Sequence, residues 1–471
     1  LIGLLTGTVL AYNILIFTMT FLCGLFMYKA VDAIFKNSFV ASASSLLYTF
    51  SAYHLFDWYN RAALGESISF TFLPLVFLGL YHIIAGDYKK WYILTIGYSL
   101  LIYTHLLSSF LTFIAIILIL IICYKPLLKE PKRIKYLLLA ALITLPIVAS
   151  YLLPLLEQMS SNTFYYSQHE NITGQTKLGL KEIGWGMISG VLYSKTQNIS
   201  GTGPLLIILI VLRLFVKEKS NYTRIADICA FTGLLLLIMI SSVFPWGRLP
   251  LGFIQFPWRL YEFVVFFFSI AGTYYLFTIL KTKRQYMVAG IGIIGFILIV
   301  FIVNNNSYKY WQTKAMEGAP AWFTGVPSVE NEYYLGRMEY LPVKIPSYDF
   351  IHERGDSVKF RNTGTQIVNF ERNERVTSLD IDISKPDRVE LPLIYYKGYK
   401  AEQNGKELGV SESDYGLVEV EVNESGRIEI WYNSTQIQNS SVLISVIGVL
   451  IFVIIVVLQK RKQKNKQESL Y

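Results

Sequence analysis

The chain has 471 residues, of which 53% are hydrophobic and only 16% charged. A soluble globular chain carries about a quarter charged residues, so this composition excludes an ordinary water-soluble fold and points to a polytopic α-helical membrane protein. The net charge of +9 could serve nucleic acid. Its basic residues, however, cluster in short loops rather than along one stripe, which indicates membrane orientation and no nucleic-acid partner.

Apolar stretches predict about eleven membrane-crossing helices, near residues 4–27, 38–53, 66–85, 91–105, 108–123, 134–156, 203–216, 226–244, 257–280, 286–303 and 441–458. Several are shorter than the roughly 20 residues of a perpendicular span, so short or bent helices lined by protein are expected. The apolar block 91–123 is interrupted at Thr104-His105 and Ser108-Ser109. It reads as a tight re-entry, with one long tilted helix as the alternative. Cys23, Cys123 and Cys229 each fall in an apolar run, which implies no disulfide framework. The sequence opens Leu-Ile-Gly, with neither Met nor a signal-peptide pattern, and the expectation is that an N-terminal piece is missing.

Lys125, Lys129, Lys132, Arg133 and Lys135 form one basic loop. Others are Lys217, Lys219 and Arg224, then Lys281, Lys283 and Arg284, then the tail from Lys460 to Lys466. Holding these inside places segments 53–65, 157–202, 245–256 and 304–440 outside. The expected organisation is a multi-helix transmembrane domain (1–303), an extracytoplasmic domain (304–440), an anchoring helix (441–458) and a basic cytoplasmic tail (459–471). Within 304–440 apolar residues alternate, and Arg388–Ile394, Leu417–Val422 and Arg427–Tyr432 read as strands. Asn404-Gly405 is a hairpin turn, because both residues tolerate positive φ. A small β-sandwich is expected from about 375 to 435.

The densest polar cluster in the apolar half is Ser51-Ala-Tyr-His-Leu-Phe-Asp-Trp-Tyr-Asn-Arg-Ala-Ala-Leu-Gly-Glu66. A charge at the bilayer centre costs about 2.5–3.5 kcal/mol. Asp57, Arg61 and Glu66 therefore belong at the interface or in a wet cavity, as a functional site or as a structural ion pair. If the stretch is helical, the four-residue spacing of Asp57 and Arg61 puts them on one face. A second cluster runs from Pro245-Trp-Gly-Arg-Leu-Pro through Gln255-Phe-Pro-Trp-Arg259 to Glu262. Pro257 suits a first helical turn, and Arg259 just inside it is placed to hold a phosphate. Trp246 and Trp258 read as interface anchors. His54 and His105 are candidate supporting residues with Glu262, although a lone histidine is more often a packing residue. Glu157, after Leu153-Pro154, reads as structural. There is no Walker A loop, dinucleotide-type glycine pattern or HExxH motif. The five histidines are too dispersed for a zinc signature. Metal use stays unknown, with no certain cofactor and a divalent cation left open.

The Ser51–Glu66 stretch, followed by Phe72-Leu-Pro-Leu-Val76, resembles a bacterial membrane family described as "6-pyruvoyl-tetrahydropterin synthase-related domain, membrane protein". Gln255-Phe-Pro-Trp-Arg259 and Glu339-Tyr-Leu-Pro342 are similar to later signatures of that group. Pro392-Leu-Ile-Tyr-Tyr-Lys-Gly-Tyr399, with Asn404-Gly405-Lys406 and a final helix, resembles the extracytoplasmic end of YfhO-type proteins. The pterin label implies no activity here, since enzymes of that name are soluble zinc proteins with a histidine cluster. The architecture is similar to the GT-C superfamily of polytopic glycosyltransferases, which move a sugar from a polyprenyl-phosphate carrier on the outer membrane face.

That resemblance implies a GT-C-like fold in the bacterial cytoplasmic membrane, with the lipid bilayer and a polyprenyl-phosphate-linked sugar as partners. The acceptor would be an envelope glycan, polymer, lipid or protein. Arg61 and Arg259 would hold the donor phosphate, and Asp57 or Glu66 would act on the acceptor hydroxyl. In the superfamily the main carboxylate comes from the first extracytoplasmic loop, which implies that it lies ahead of Leu1. The rival expectations are a flippase for a lipid-linked glycan and a non-catalytic envelope scaffold.

Overall fold

In lipid a backbone can satisfy its polar groups only within its own segment or in a closed sheet, so the long apolar runs of this chain fold as helices. The structure, a computed structural model, describes residues 7–165, 177–193, 198–249, 251–316, 340–373 and 375–468. Glu339 and Pro250 lie outside the described residues. The first half contains α1 (Thr8–Phe35), α2 (Ser38–Thr49), α3 (Ala52–Tyr59), α4 (Leu64–Ile84), α5 (Tyr92–Thr104), α6 (Leu106–Ile122), α7 (Tyr124–Lys129), α8 (Pro131–Ile147) and α9 (Ala149–Ser161). There follow α10 (Leu180–Ser189), a short hairpin of β1 (Val191–Tyr193) and β2 (Asn198–Ser200), α11 (Pro204–Val211), α12 (Asn221–Ile240), α13 (Tyr261–Ile279) and α14 (Lys283–Met316).

Among the described residues six helices are long and apolar enough to cross a membrane: α1, α4, α12, α13 with the turn ahead of it, α14 and a C-terminal helix within Gln436–Asn465. A seventh span results if α8 and α9, which meet at Val148, form one broken crossing. By length and composition these are the helices of a multi-pass membrane protein, with fewer full-length spans among the described residues than the eleven expected. The physical reason is length. Stretches 38–53, 91–105, 108–123 and 203–216 fold as helices of 12, 13, 17 and 8 residues, roughly 12–26 Å at 1.5 Å per residue. The 91–123 block is two helices, because His105 takes an extended conformation (φ −154°) between α5 and α6.

The chain divides into two compact units, Leu1–Val148 with Asn171–Lys314 and Gly448–Tyr471, and Ala149–Glu170 with Ala315–Ile447. This differs from the sequence-based division: α9 groups with the β-rich part, and the end of the last helix groups with the helical part.

In the helical unit α13 is buried continuously from Tyr261 to Tyr275, which explains why its sequence is apolar on every face. Helices α4 and α5 approach closely through two glycines. A Cβ on Gly79 would lie 2.2 Å from the Leu94 backbone nitrogen, and one on Gly97 would lie 2.7 Å from that of Val76. Small residues at such crossings let backbones pack where no hydrophobic force drives helices together.

The second unit carries α15 (Tyr348–Arg354) and nine strands, β3 (Lys359–Phe360), β4 (Thr365–Arg372), β5 (Val376–Ile383), β6 (Asp387–Ile394), β7 (Tyr399–Gln403), β8 (Lys406–Leu408), β9 (Val410–Glu412), β10 (Leu417–Val422) and β11 (Gly426–Tyr432). The last helix, α16 (Gln436–Glu468), follows. The strands form two antiparallel sheets ordered β3-β6-β10-β9 and β4-β5-β11-β7-β8. Leu379, Ile381, Leu391, Val420, Ile428 and Ile430 from both sheets share one core, so the expected sandwich is present. It begins near Lys359, earlier than the expected 375. The β7–β8 turn sits at Asn404-Gly405 with φ of 50° and 78°, the positive values that a tight hairpin requires.

Gly79→Ala should destabilise the helical unit by about 1–3 kcal/mol through overpacking. Gly290→Ala, where a Cβ meets nothing within 4 Å, should not. Denaturant unfolding of both variants in detergent micelles checks the contrast.

Candidate functional site

The site begins where α2 ends. Ser51 caps α3, its hydroxyl accepting from the His54 amide at 3.4 Å. The helix closes after two turns, and Ala62 turns the chain with φ of 49°. Arg61 therefore lies beyond the helix rather than on it, yet it still returns to Asp57. Its Nη1 pairs with the Asp57 carboxylate and stands 2.9 Å from Glu66 Oε2. The guanidinium also lies over the Trp258 ring, 4.5 Å from its centroid, a favourable placement for a cation.

Glu66 and Glu262 occupy the first turns of α4 and α13, where the partial positive charge of a helix N-terminus favours a carboxylate. Arg259, in the turn Pro257–Leu260 that leads into α13, brings Nε to 3.3 Å from Glu66 Oε2. The two meet as charges without hydrogen-bond alignment. The other oxygen, Glu66 Oε1, accepts from the Tyr53 hydroxyl at 2.6 Å. Two cations that lie 198 positions apart in the chain thus converge on one buried carboxylate.

Glu262 is held differently. The Ser69 hydroxyl donates to Oε1 and the Ser108 hydroxyl to Oε2 at 2.8 Å. His105 Nδ1 accepts the Ser108 amide at 3.2 Å and lies 2.8 Å from its hydroxyl oxygen. The break between α5 and α6 thus feeds into the same polar network. His54, by contrast, is fully engaged: one ring nitrogen, Nδ1, donates to the Thr49 carbonyl at 2.7 Å, and Nε2 accepts the Trp58 indole N–H at 3.0 Å. Its ring also stacks on Phe70 at 4.1 Å, and burial pushes its pKa down to about 4. Its Nε2 also lies 3.0 Å from the Ser67 carbonyl, so the ring is tied into the packing between α3 and α4.

Trp246 and Trp258 are both buried, so neither is the displayed interface anchor that the sequence suggests. Trp246 instead donates to the Met239 carbonyl at 2.5 Å. Glu157 belongs to the second unit, where Lys397 and Thr435 pair with it at 3.2 and 2.5 Å. Among the described residues no three His, Cys, Asp or Glu side chains are grouped to share a metal.

The cluster also contains polar atoms without a hydrogen-bond partner among the described residues. Asp57 Oδ2, Arg259 Nε, Trp258 Nε1 and the Tyr261 hydroxyl are all buried in this condition. Burial, reinforced by the Glu66 charge, pushes the Asp57 carboxyl above the usual carboxylate range, against the pull of Arg61. Chemically, the arrangement offers donors and cations to an anion, with an open carboxylate oxygen beside them.

Tyr53 and Ser69 are site residues that the sequence does not single out, while Ser108 and Trp258 stand out there only as a break in an apolar run and as an interface anchor. Tyr53 was findable, since it precedes Asp57 by four positions on the same helix. Ser69 carries no comparable signal. Comparison with protein-family models, curated proteins and solved structures finds no match for this chain.

Arg61→Ala strands two buried carboxylates and should cost about 3–5 kcal/mol of stability. The double variant Arg61→Ala with Asp57→Asn should recover part of that loss. Thermal unfolding in micelles, read as a double-mutant cycle, checks the coupling.

Proposed function

We propose that the protein is a GT-C-like membrane glycosyltransferase that moves a sugar from a polyprenyl-phosphate donor to a cell-envelope acceptor. The observation that carries this reading is the buried cluster of Arg61 and Arg259 around Glu66, with partnerless polar atoms beside it. A departing phosphate is an anion that needs paired cationic donors in a low-dielectric setting. Among the described residues the hydrogen bonds of Arg61 to Asp57 and Tyr53 run through Nη1, and the rest of its guanidinium fork can turn to such a group. Asp57 or Glu66 then orients or deprotonates the acceptor hydroxyl. Glu262 and His105 hold the floor of the site through Ser108.

In this reading the protein sits in a bacterial cytoplasmic membrane. The basic stretches Lys125–Lys135, Lys217–Arg224, Lys281–Arg284 and Lys460–Lys466 lie inside, and 304–440 faces outward. One observation favours a second reading, a non-catalytic envelope scaffold. Both guanidinium groups already face carboxylates of the same chain, as a purely structural ion cluster would.

Labelled polyprenyl-phosphate sugars, supplied to the full-length protein in nanodiscs with an envelope extract, separate the two. Sugar transfer should fall about 100-fold in Arg259→Gln, as on loss of one transition-state donor, and should also fall in Glu66→Gln. Equal transfer by wild type and both variants would remove the cluster from the chemistry. No transfer from any donor would favour the scaffold.

A further inference from the structure

The β-sandwich unit carries a half-open cavity of about 260 Å³. Phe350 and Arg354 of α15, Arg372 at the end of β4, Pro392 of β6, Tyr396, and Tyr399 of β7 line it. We propose that this cavity binds one sugar ring bearing a carboxylate or phosphate. Small-molecule sites span about 300–1,000 Å³, so this one has room for a single ring and little more.

The aromatic walls are fixed in place before any ligand arrives. Phe350 stacks on Tyr415 with centroids 5.3 Å apart, Tyr396 stacks on Phe164 at 6.2 Å, and Tyr399 meets Tyr432 edge-on at 5.5 Å. The Tyr396 hydroxyl donates to the Tyr340 carbonyl at 3.2 Å. Rings held this way present apolar faces and phenolic edges at little entropic cost, matching the mixed C–H and hydroxyl surface of a sugar.

The two arginines differ in availability. Arg354 is buried and committed: Nε donates to the Ser357 carbonyl at 2.8 Å, Nη1 to Glu390 Oε1 at 2.6 Å and Nη2 to the Glu390 carbonyl at 3.1 Å. It forms a wall that ties α15 to β6. Among the described residues Arg372 pairs through Nη1 with Asp356 at 3.0 Å, and the two side chains are 43% and 49% exposed. An ion pair this open to water contributes little, so a ligand anion can take the place of Asp356 on the planar fork of Arg372. Binding of this kind is expected whether or not the helical unit transfers sugar.

The test is calorimetric titration of the full-length protein in nanodiscs with glucuronate, glucose 6-phosphate, neutral glucose and inorganic phosphate. Both anionic sugars should bind saturably, with glucose and inorganic phosphate weaker by on the order of tenfold. Arg372→Gln should weaken the anionic sugars by a similar factor. Asp356→Asn, which removes the competing carboxylate, should strengthen them, so the two variants move in opposite directions. The proposal is overturned if glucose or inorganic phosphate binds as tightly as the anionic sugars, if both variants leave affinity unchanged, or if no ligand saturates.

Discussion

The helical unit depends on how Arg61 is neutralised inside an apolar block. Its guanidinium is enclosed by Asp57, Glu66 and the face of Trp258. Unpaired, each of these charges would carry a heavy desolvation cost. That constraint explains the neighbouring structure. Helix α3 is short so that the chain can turn back at Ala62, and α4 and α13 present their N-termini so that each carboxylate sits in a favourable field. Arg259 supplies the second cation from the far side of the sequence. An ion cluster of this kind is weak evidence for stability in itself, since apolar residues of equal volume would often serve as well. Its retention beside partnerless donors is what turns attention to a ligand.

Around that cluster the helices are held by shape more than by charge. The glycines at 79 and 97 allow α4 and α5 to touch at the backbone, and α13 fills the centre with aromatic side chains. The helices too short to cross a bilayer pack against this core: Thr273 and Ser44 of α2 meet at 2.5 Å within it. Short helices at membrane depth are tolerable only where protein rather than lipid surrounds them.

Much of this was legible in the amino-acid sequence. The period-two alternation in Leu417–Val422 and Arg427–Tyr432 gave strands, and Asn404-Gly405 gave the hairpin, because both signals are local. The pairing of Asp57 with Arg61 also followed from spacing, although the helix ends before Arg61. What hydropathy could not convey is where an apolar run breaks: His105 and Val148 end helices through backbone conformation, so eleven apolar stretches became six or seven long spans among the described residues. Equally hidden were the long-range contacts. Nothing local to Arg259 says that it reaches Glu66, nor that Ser69 and Ser108 hold Glu262. The sandwich starts earlier than expected because β4 alternates poorly, with most of its residues exposed.

The most direct measurement is native mass spectrometry of the purified protein with polyprenyl phosphate, with no sugar present. If the Arg61–Arg259 cluster holds the donor phosphate, wild type should form a one-to-one complex that Arg259→Gln fails to form, while the uncharged polyprenol binds neither. Equal retention of polyprenyl phosphate by wild type and Arg259→Gln would contradict that assignment.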